Sequence, residues 1–200
     1  MIDAAAFERC VAAGGVALFP ADTVYGLACA PDSTAAVERL YRLKGRDRDK
    51  PAAVMFFALA PALAALPELG PRTRAALERL LPAGLTVLLP NPRRRFSLAC
   101  GPQPETIGLR VPDLPALATV RLPVLQSSAN ASGGADARRL EEVPDAIREA
   151  VDCTLDGGEL PGVSSTVVDL REYETSGAWS VVREGAVSAQ NLGEALLGSA

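Results

Sequence analysis

Short apolar runs, each bounded by a proline or by a knot of hydroxyls and glycines, limit this chain's fold more than any other feature. Val16–Phe19 stops at Pro20, Ala52–Phe57 follows Pro51, Leu85–Leu89 stands alone, and Pro123–Gln126 gives way to Ser127-Ser128. Runs this short between turn signals predict buried strands. Between them lie Ala- and Leu-rich stretches with apolar residues three and four apart. Ala4–Ala13, Thr34–Leu43, Pro61–Leu66 and Pro71–Leu81 therefore predict helices, with Asp32-Ser33-Thr34 as cap candidates for the second and prolines in the first turns of the last two. Asn91–Pro104, which carries Arg93-Arg94-Arg95, reads as a loop or hairpin excursion. Thr106–Val111 predicts a strand, Pro115–Val120 a short helix and Arg138–Glu149 a charged, exposed helix. Three close strands, Cys153–Asp156, Ser165–Leu170 and Trp179–Arg183, precede a last helix at Gln190–Leu197. Alternation early and crowding of strands late predict a single α/β domain over residues 1–200, with a mixed sheet.

Composition removes several chemistries. The chain has no histidine, so a Ser-His-Asp triad, a Cys-His pair and His-ligated zinc are all excluded. Cys10, Cys29, Cys100 and Cys153 are too far apart for a CxxC motif and read as small buried hydrophobes in a reducing compartment. A net charge of -4 suits poorly a protein that coats nucleic acid. The N-terminus lacks the basic and apolar regions of a signal peptide, and no apolar run approaches the roughly 20 residues of a membrane span. The expectation is a soluble, cytoplasmic protein.

Six polar islands interrupt this apolar frame. Asp22, Thr23, Tyr25 and Gly26 follow the first strand, where α/β folds place ligands, although an ordinary turn accounts for them equally well. Arg42, Lys44, Arg46, Arg48 and Lys50 put five cations in nine residues. In an extended chain Lys44, Arg46, Arg48 and Lys50 would share one side. Such runs are commonly solvated faces, but this one lies between core elements and encloses Gly45. Ser127, Ser128, Asn130 and Gly133-Gly134 follow another strand, a composition that can cradle anionic oxygens or simply cap a helix. Ser164, Ser165 and Thr166 open a strand, while Arg110 and Arg183 each sit inside an apolar one, where a partner or ligand is needed. Cations and hydroxyls without a nucleophile–base pair suit the positioning of a multiply charged substrate.

The order of these segments resembles the YrdC/Sua5 family. The matching pieces are Pro-Ala-Asp-Thr-Val-Tyr-Gly-Leu at 20–27, Lys-Gly-Arg at 44–46 with Lys50-Pro51, Gly-Leu-Thr at 84–86, Leu-Arg-Val-Pro at 109–112, Ser-Ala-Asn-Ala-Ser-Gly at 128–133, Ser-Thr-Val-Val-Asp at 165–169, and Arg183 with Gly185. They cover residues 15–187 in family order. The resemblance implies an open twisted sheet flanked by helices, with a concave, positively charged surface, in the short form that lacks a further C-terminal domain. It implies formation of L-threonylcarbamoyladenylate and pyrophosphate from L-threonine, bicarbonate and ATP, for the tRNA modification N6-threonylcarbamoyladenosine. A Lys/Arg/Ser/Asn tetrad then falls on Lys44, Arg46, Ser128 and Asn130. Thr23, Arg110 and Ser165 face threonine. Arg46, Lys50, Thr106, Ser128, Asn130 and Arg183 contact the nucleotide. Mg²⁺ accompanies the triphosphate, a threonylcarbamoyl-transferase acts downstream, and direct contact with tRNA is left open.

Three positions depart from the family pattern. Ala21 replaces the usual Thr, Asp136 stands where a Ser is frequent, and Gln126-Ser127 replaces Pro-Ser or Thr-Ser. An acid beside phosphate is unfavourable unless a metal lies between them. The alternative reading is a paralogue of the same fold that binds RNA or nucleotide without the synthase activity. A carbamoyl-transfer module of hydrogenase maturation is a further rival, and the zinc-finger and acylphosphatase segments of such proteins are not visible here.

Overall fold

The computed structural model describes residues 2–197. Its elements in order are α1 (Ala4–Ala12), β1 (Ala17–Pro20), β2 (Tyr25–Cys29), α2 (Thr34–Lys44), β3 (Ala53–Met55), α3 (Leu59–Ala65), α4 (Pro71–Leu80), β4 (Leu85–Pro90), β5 (Thr106–Arg110), β6 (Val124–Ser128), α5 (Asp145–Arg148), β7 (Cys153–Thr154), β8 (Thr166–Asp169), α6 (Tyr173–Ser176), β9 (Ser180–Arg183) and α7 (Ala189–Leu197). The strands form one sheet in the order β7-β1-β2-β6-β3-β5-β4-β8-β9. The pairs β1–β7, β3–β5 and β4–β8 are parallel and the others antiparallel, so the sheet is mixed.

Strand alternation explains how the two faces differ. On β4, Leu85, Val87 and Leu89 enter the larger core, as do Ile107 and Leu109 of β5 and Val168 of β8. Helices α2 and α4 cover that face, with Ala36, Leu40, Ala76 and Leu77 fully packed. The other face is divided. Around α1, Phe7, Phe19 and Phe57 build a smaller core with ring centroids 5.1 to 6.4 Å apart. The rest of that face has no helix over it. There β5 and β4 present Thr106, Gly108, Arg110, Thr86 and Leu88 instead of an apolar stripe.

Two predicted features differ from what is observed. Arg138–Glu149 is not one helix but a 3-10 turn at Leu140–Glu142 followed by the short α5. Pro144 has no N–H to donate and pushes Val143 out of the helical region, to φ -69° and ψ 131°. The cations of 44–50 do not share a side. Lys44 ends α2 inside the protein, Gly45 turns the chain at φ 55°, and exposed Arg48 pairs with Glu38 of α2. The sequence also hid β2, whose residues read as a polar island because Tyr25 and Gly26 adjoin Asp22 and Thr23. No helix among the described residues is long and apolar enough to cross a membrane.

Candidate active-site cleft

The uncovered face forms a cleft of about 570 Å³. Of the residues singled out in the sequence, Thr23, Arg46, Thr106, Arg110, Ser128, Ser165 and Arg183 line it. Lys44, Lys50 and Asn130 do not.

Lys44 lies beneath one end of the cleft, 2% exposed. Its Nζ donates to the carbonyl of Asn130 and to Asn130 Oδ1, both at 2.8 Å, and to the carbonyl of Ser128. Three ammonium protons meet three oxygens, all from one loop. Asn130 Oδ1 also accepts from Ser128 Oγ at 2.7 Å, and Asn130 Nδ2 donates to the Gly134 carbonyl at 2.7 Å and to Asp136 Oδ1 at 3.1 Å. Lys44 thus shapes the loop that presents Ser128. Burial, then neighbouring Arg46, pull the Lys44 ammonium down to about 8, against the pull of Asp136. Arg46 lies on the cleft wall, its guanidinium 5.8 Å from the Tyr41 ring centroid and donating to the Pro51 carbonyl at 2.6 Å. Its Nε has no partner. Lys50 is exposed outside the cleft, with Nζ 3.5 Å from Ser132 Oγ.

Arg110 forms the floor of the other end, 4% exposed. Its Nη2 donates to Asp22 Oδ1 at 2.6 Å and Nη1 to Gln126 Oε1 at 3.1 Å, while Thr23 Oγ1 lies 3.4 Å from Nη2. Arg110 Nε has no partner, an orphaned donor at the cleft floor. Burial pushes the Asp22 carboxyl up, and Arg110 opposes it. The guanidinium keeps its charge, because arginine does not deprotonate in proteins. From sequence Asp22 stood in the first polar island, ligand position and ordinary turn being equal readings, and Gln126 had no site role. Gln126 carried a signal, as a departure from the family pattern, and here it occupies the flank of Arg110.

A strap from Asp156 to Ser165, without regular structure, joins β7 at one edge of the sheet to β8 near the other. Tyr25 Oη donates to Asp156 Oδ1 at 2.8 Å, Leu160 N donates to the Arg138 carbonyl at 2.9 Å and Gly162 N to the Thr23 carbonyl at 2.9 Å. Ser164 Oγ donates to Asp136 Oδ2, which ties the strap to the Asn130 loop. Gly185 packs against the strap so closely that a Cβ there would lie 2.2 Å from the Ser164 carbonyl. The strap delivers Ser165, whose Oγ lies 2.9 Å from Thr86 Oγ1, and Arg183 Nη2 donates to the Ser165 carbonyl at 2.6 Å. Thr86, Ser164 and Asp136 join the cleft without having been assigned a role from sequence.

Such a cleft, with arginines and hydroxyls on the bare face of a mixed sheet, belongs to an α/β protein whose site has the donors to take an anion. The chain belongs to the Sua5_yciO_yrdC family, described as "Telomere recombination", which matches residues 9–185. It is 31% identical over 188 residues to the threonylcarbamoyl-AMP synthase of Homo sapiens, spanning 86% of this chain and 63% of that protein. To the threonylcarbamoyl-AMP synthase of Chromohalobacter salexigens it is 36% identical over 171 residues, or 81% of this chain and 89% of that one. Its fold is similar to the crystal structure of Pyrococcus abyssi Sua5 complexed with L-threonine, with a TM-score of 0.81 and 25% identity over 96% of this chain and 56% of that chain. The chain thus spans less than two thirds of the length of the human relative.

Proposed function

We propose that this protein is an L-threonylcarbamoyladenylate synthase, a nucleotidyltransferase that acts on L-threonine, bicarbonate and ATP. The observation that carries the reading is convergence. Lys44 ends α2 with Arg46 just after it, and Ser128 ends β6 with Asn130 just after it, yet the four gather at and beneath one end of a cleft whose other end holds Thr23, Arg110 and Ser165. The names of the relatives and the threonine-bound Sua5 support it.

In this reading Arg110, Thr23 and Ser165 hold threonine, whose free amine bonds to the carbon of bicarbonate as water leaves, to give N-carboxy-threonine. The new carboxylate attacks the α-phosphate, and pyrophosphate leaves. Two anions meet in that step, so fixed cations and donors lower the barrier most. Arg46 and Ser128 face the nucleotide directly with Thr106. Lys44 and Asn130 act from behind by holding the loop, and Lys50 reaches the triphosphate from the rim. The oxygen donors present fit Mg²⁺ arriving with ATP: Asp136 lines the cleft beside Ser128, and one carboxylate plus substrate phosphates is a common Mg²⁺ set. Asp136 would hold the ion, which offsets phosphate charge. The product passes to a threonylcarbamoyl-transferase, with tRNA as the final acceptor.

The test is pyrophosphate release with each substrate omitted in turn. Release should require L-threonine, bicarbonate and ATP together, and equal release without threonine rejects the reading. Nucleotide or RNA binding with no release under any condition would favour the paralogue.

The pH profile supplies a second prediction. Only the charged Lys44 donates to all three of its oxygens. Turnover should therefore fall as pH rises through about 8. Stability moves the other way. Between about 8 and the ordinary lysine value of 10.5 the unfolded chain holds a proton that the folded chain has lost, so unfolding becomes harder as pH rises. Rate profiles and urea melts across this window check both signs, and loss of stability in step with turnover would contradict the assignment.

A further inference from the structure

The carboxylates that line the cleft are those of Asp49 and Asp136, and neither is in an ion pair among the described residues. Their settings differ. Asp49 is exposed on a rim loop, where water and salt screen its charge. Asp136 is half-buried and held from both sides: Oδ1 accepts from Asn130 Nδ2 at 3.1 Å, and Oδ2 accepts from Ser164 Oγ. Neither donor is charged. The carboxylate is thus fixed in place without being neutralised, and its oxygens keep lone pairs for a further partner.

A single side-chain amide separates this acid from the Ser128 hydroxyl. Asn130 Oδ1 accepts from Ser128 Oγ at 2.7 Å, and Nδ2 of the same amide donates to Asp136. The cations at this end are Arg46 on the wall and Lys44 beneath the loop. Of the groups that act on the Lys44 ammonium, Asp136 favours its charge while burial and Arg46 oppose it. Asp136 therefore offsets one of the two positive charges that a phosphate on Ser128 would meet. Near a protein surface, one unit of like charge this close costs about tenfold or more in affinity. Bound Mg²⁺ lowers the negative charge of a triphosphate by its own charge, and a carboxylate is one of the ligands it takes.

We infer that Asp136 makes the cleft discriminate between two forms of ATP: its carboxylate repels the metal-free triphosphate and, through its free lone pairs, accepts the Mg²⁺ complex. The inference rests on the synthase reading, in which ATP phosphates lie beside Ser128. It also gives a role to a departure from the family pattern. A serine at this position can donate to a phosphate whether or not a metal is bound, whereas an aspartate cannot.

The test is calorimetric titration of the full chain with ATP, once with excess Mg²⁺ and once with a chelator. Wild type is compared with Asp136→Asn, Asp136→Ser and Asp49→Asn, after melts show which are folded. Asp136→Asn keeps the shape and an acceptor for Asn130 Nδ2, and the Ser164 hydroxyl can turn to accept, so the charge alone is lost. Wild type should bind the Mg²⁺ complex at least about tenfold more tightly than metal-free ATP. Both Asp136 variants should bind metal-free ATP about tenfold more tightly than wild type does, and their preference for the complex should shrink to about threefold or less. Asp49→Asn should keep the wild-type preference. An unchanged preference in the Asp136 variants, its loss in Asp49→Asn, or weaker binding of both forms by Asp136→Asn overturns the inference. A wild type that binds both forms alike also overturns it and leaves the synthase reading standing. A wild type that binds neither form removes both.

Discussion

Lys44→Met is expected to lower both turnover and stability, turnover by about 10²-fold or more and stability by about 3 kcal/mol. Read from sequence, Lys44 is a phosphate contact, and its loss should leave the fold intact. In the fold it is an internal cation whose three protons meet the Ser128 carbonyl, the Asn130 carbonyl and Asn130 Oδ1. Methionine fills the space but takes the ammonium donor from the Ser128 and Asn130 carbonyls, and leaves Asn130 Oδ1 with only the Ser128 hydroxyl. Ser128 then loses the Asn130 side chain that fixes its hydroxyl. Lys44→Arg keeps the charge, but its planar fork cannot point three donors at oxygens clustered round a single nitrogen. It should recover part of the stability and little of the turnover. Urea unfolding read beside pyrophosphate release settles the matter. Wild-type stability in Lys44→Met would mean that the ammonium does not organise the loop.

Asp22→Ala is expected to destabilise the chain by about 3–5 kcal/mol and to abolish threonine binding. The side chains of Asp22 and Arg110 are 7% and 5% exposed, so the guanidinium would stay buried without its counter-charge. Arg110→Met removes threonine binding too, but at a smaller cost to stability, because a lone Asp22 can take up a proton. Burial already pushes that carboxyl upward. The double variant Asp22→Ala/Arg110→Met should be more stable than Asp22→Ala alone, since no unpaired charge remains. Denaturation midpoints of all four proteins give the coupling, and additive effects would show that the pair does not act as a unit.

Much of this frame was legible in sequence where the signal was local. Short apolar runs located β1, β3, β4 and β6, and the cap candidates Asp32-Ser33-Thr34 located the start of α2, where the Ser33 hydroxyl accepts from the Ala36 N–H at 3.3 Å. Signals that depended on neighbours in space were misread. The charged, exposed character of Arg138–Glu149 outweighed Pro144, which interrupts the helix. The alternation from Lys44 to Lys50 assumed an extended chain, but α2 runs through Lys44 and Gly45 then reverses direction. For the site, motif order singled out Arg110 and Ser165 but not their partners. Asp22 stayed undecided between a ligand position and a turn because nothing in the sequence pairs it with Arg110, 88 positions away. Thr86 is a single hydroxyl in an apolar strand, and only the strand order puts it between two arginines.

The strap has a consequence for how the cleft comes into being. It starts at one margin of the sheet, ends near the other, and is stitched on the way to Tyr25, Thr23, Arg138 and Asp136. Those attachment points come from segments far apart in sequence, so they exist only after most strands have found their places. A partly assembled chain would therefore own helices and strands but no receptacle for substrate. A protease nick between Gly157 and Gly162 would spare the strands and helices and free little of the core beyond Leu160, while unfastening the cleft, as a garment keeps its cloth when its seam is cut.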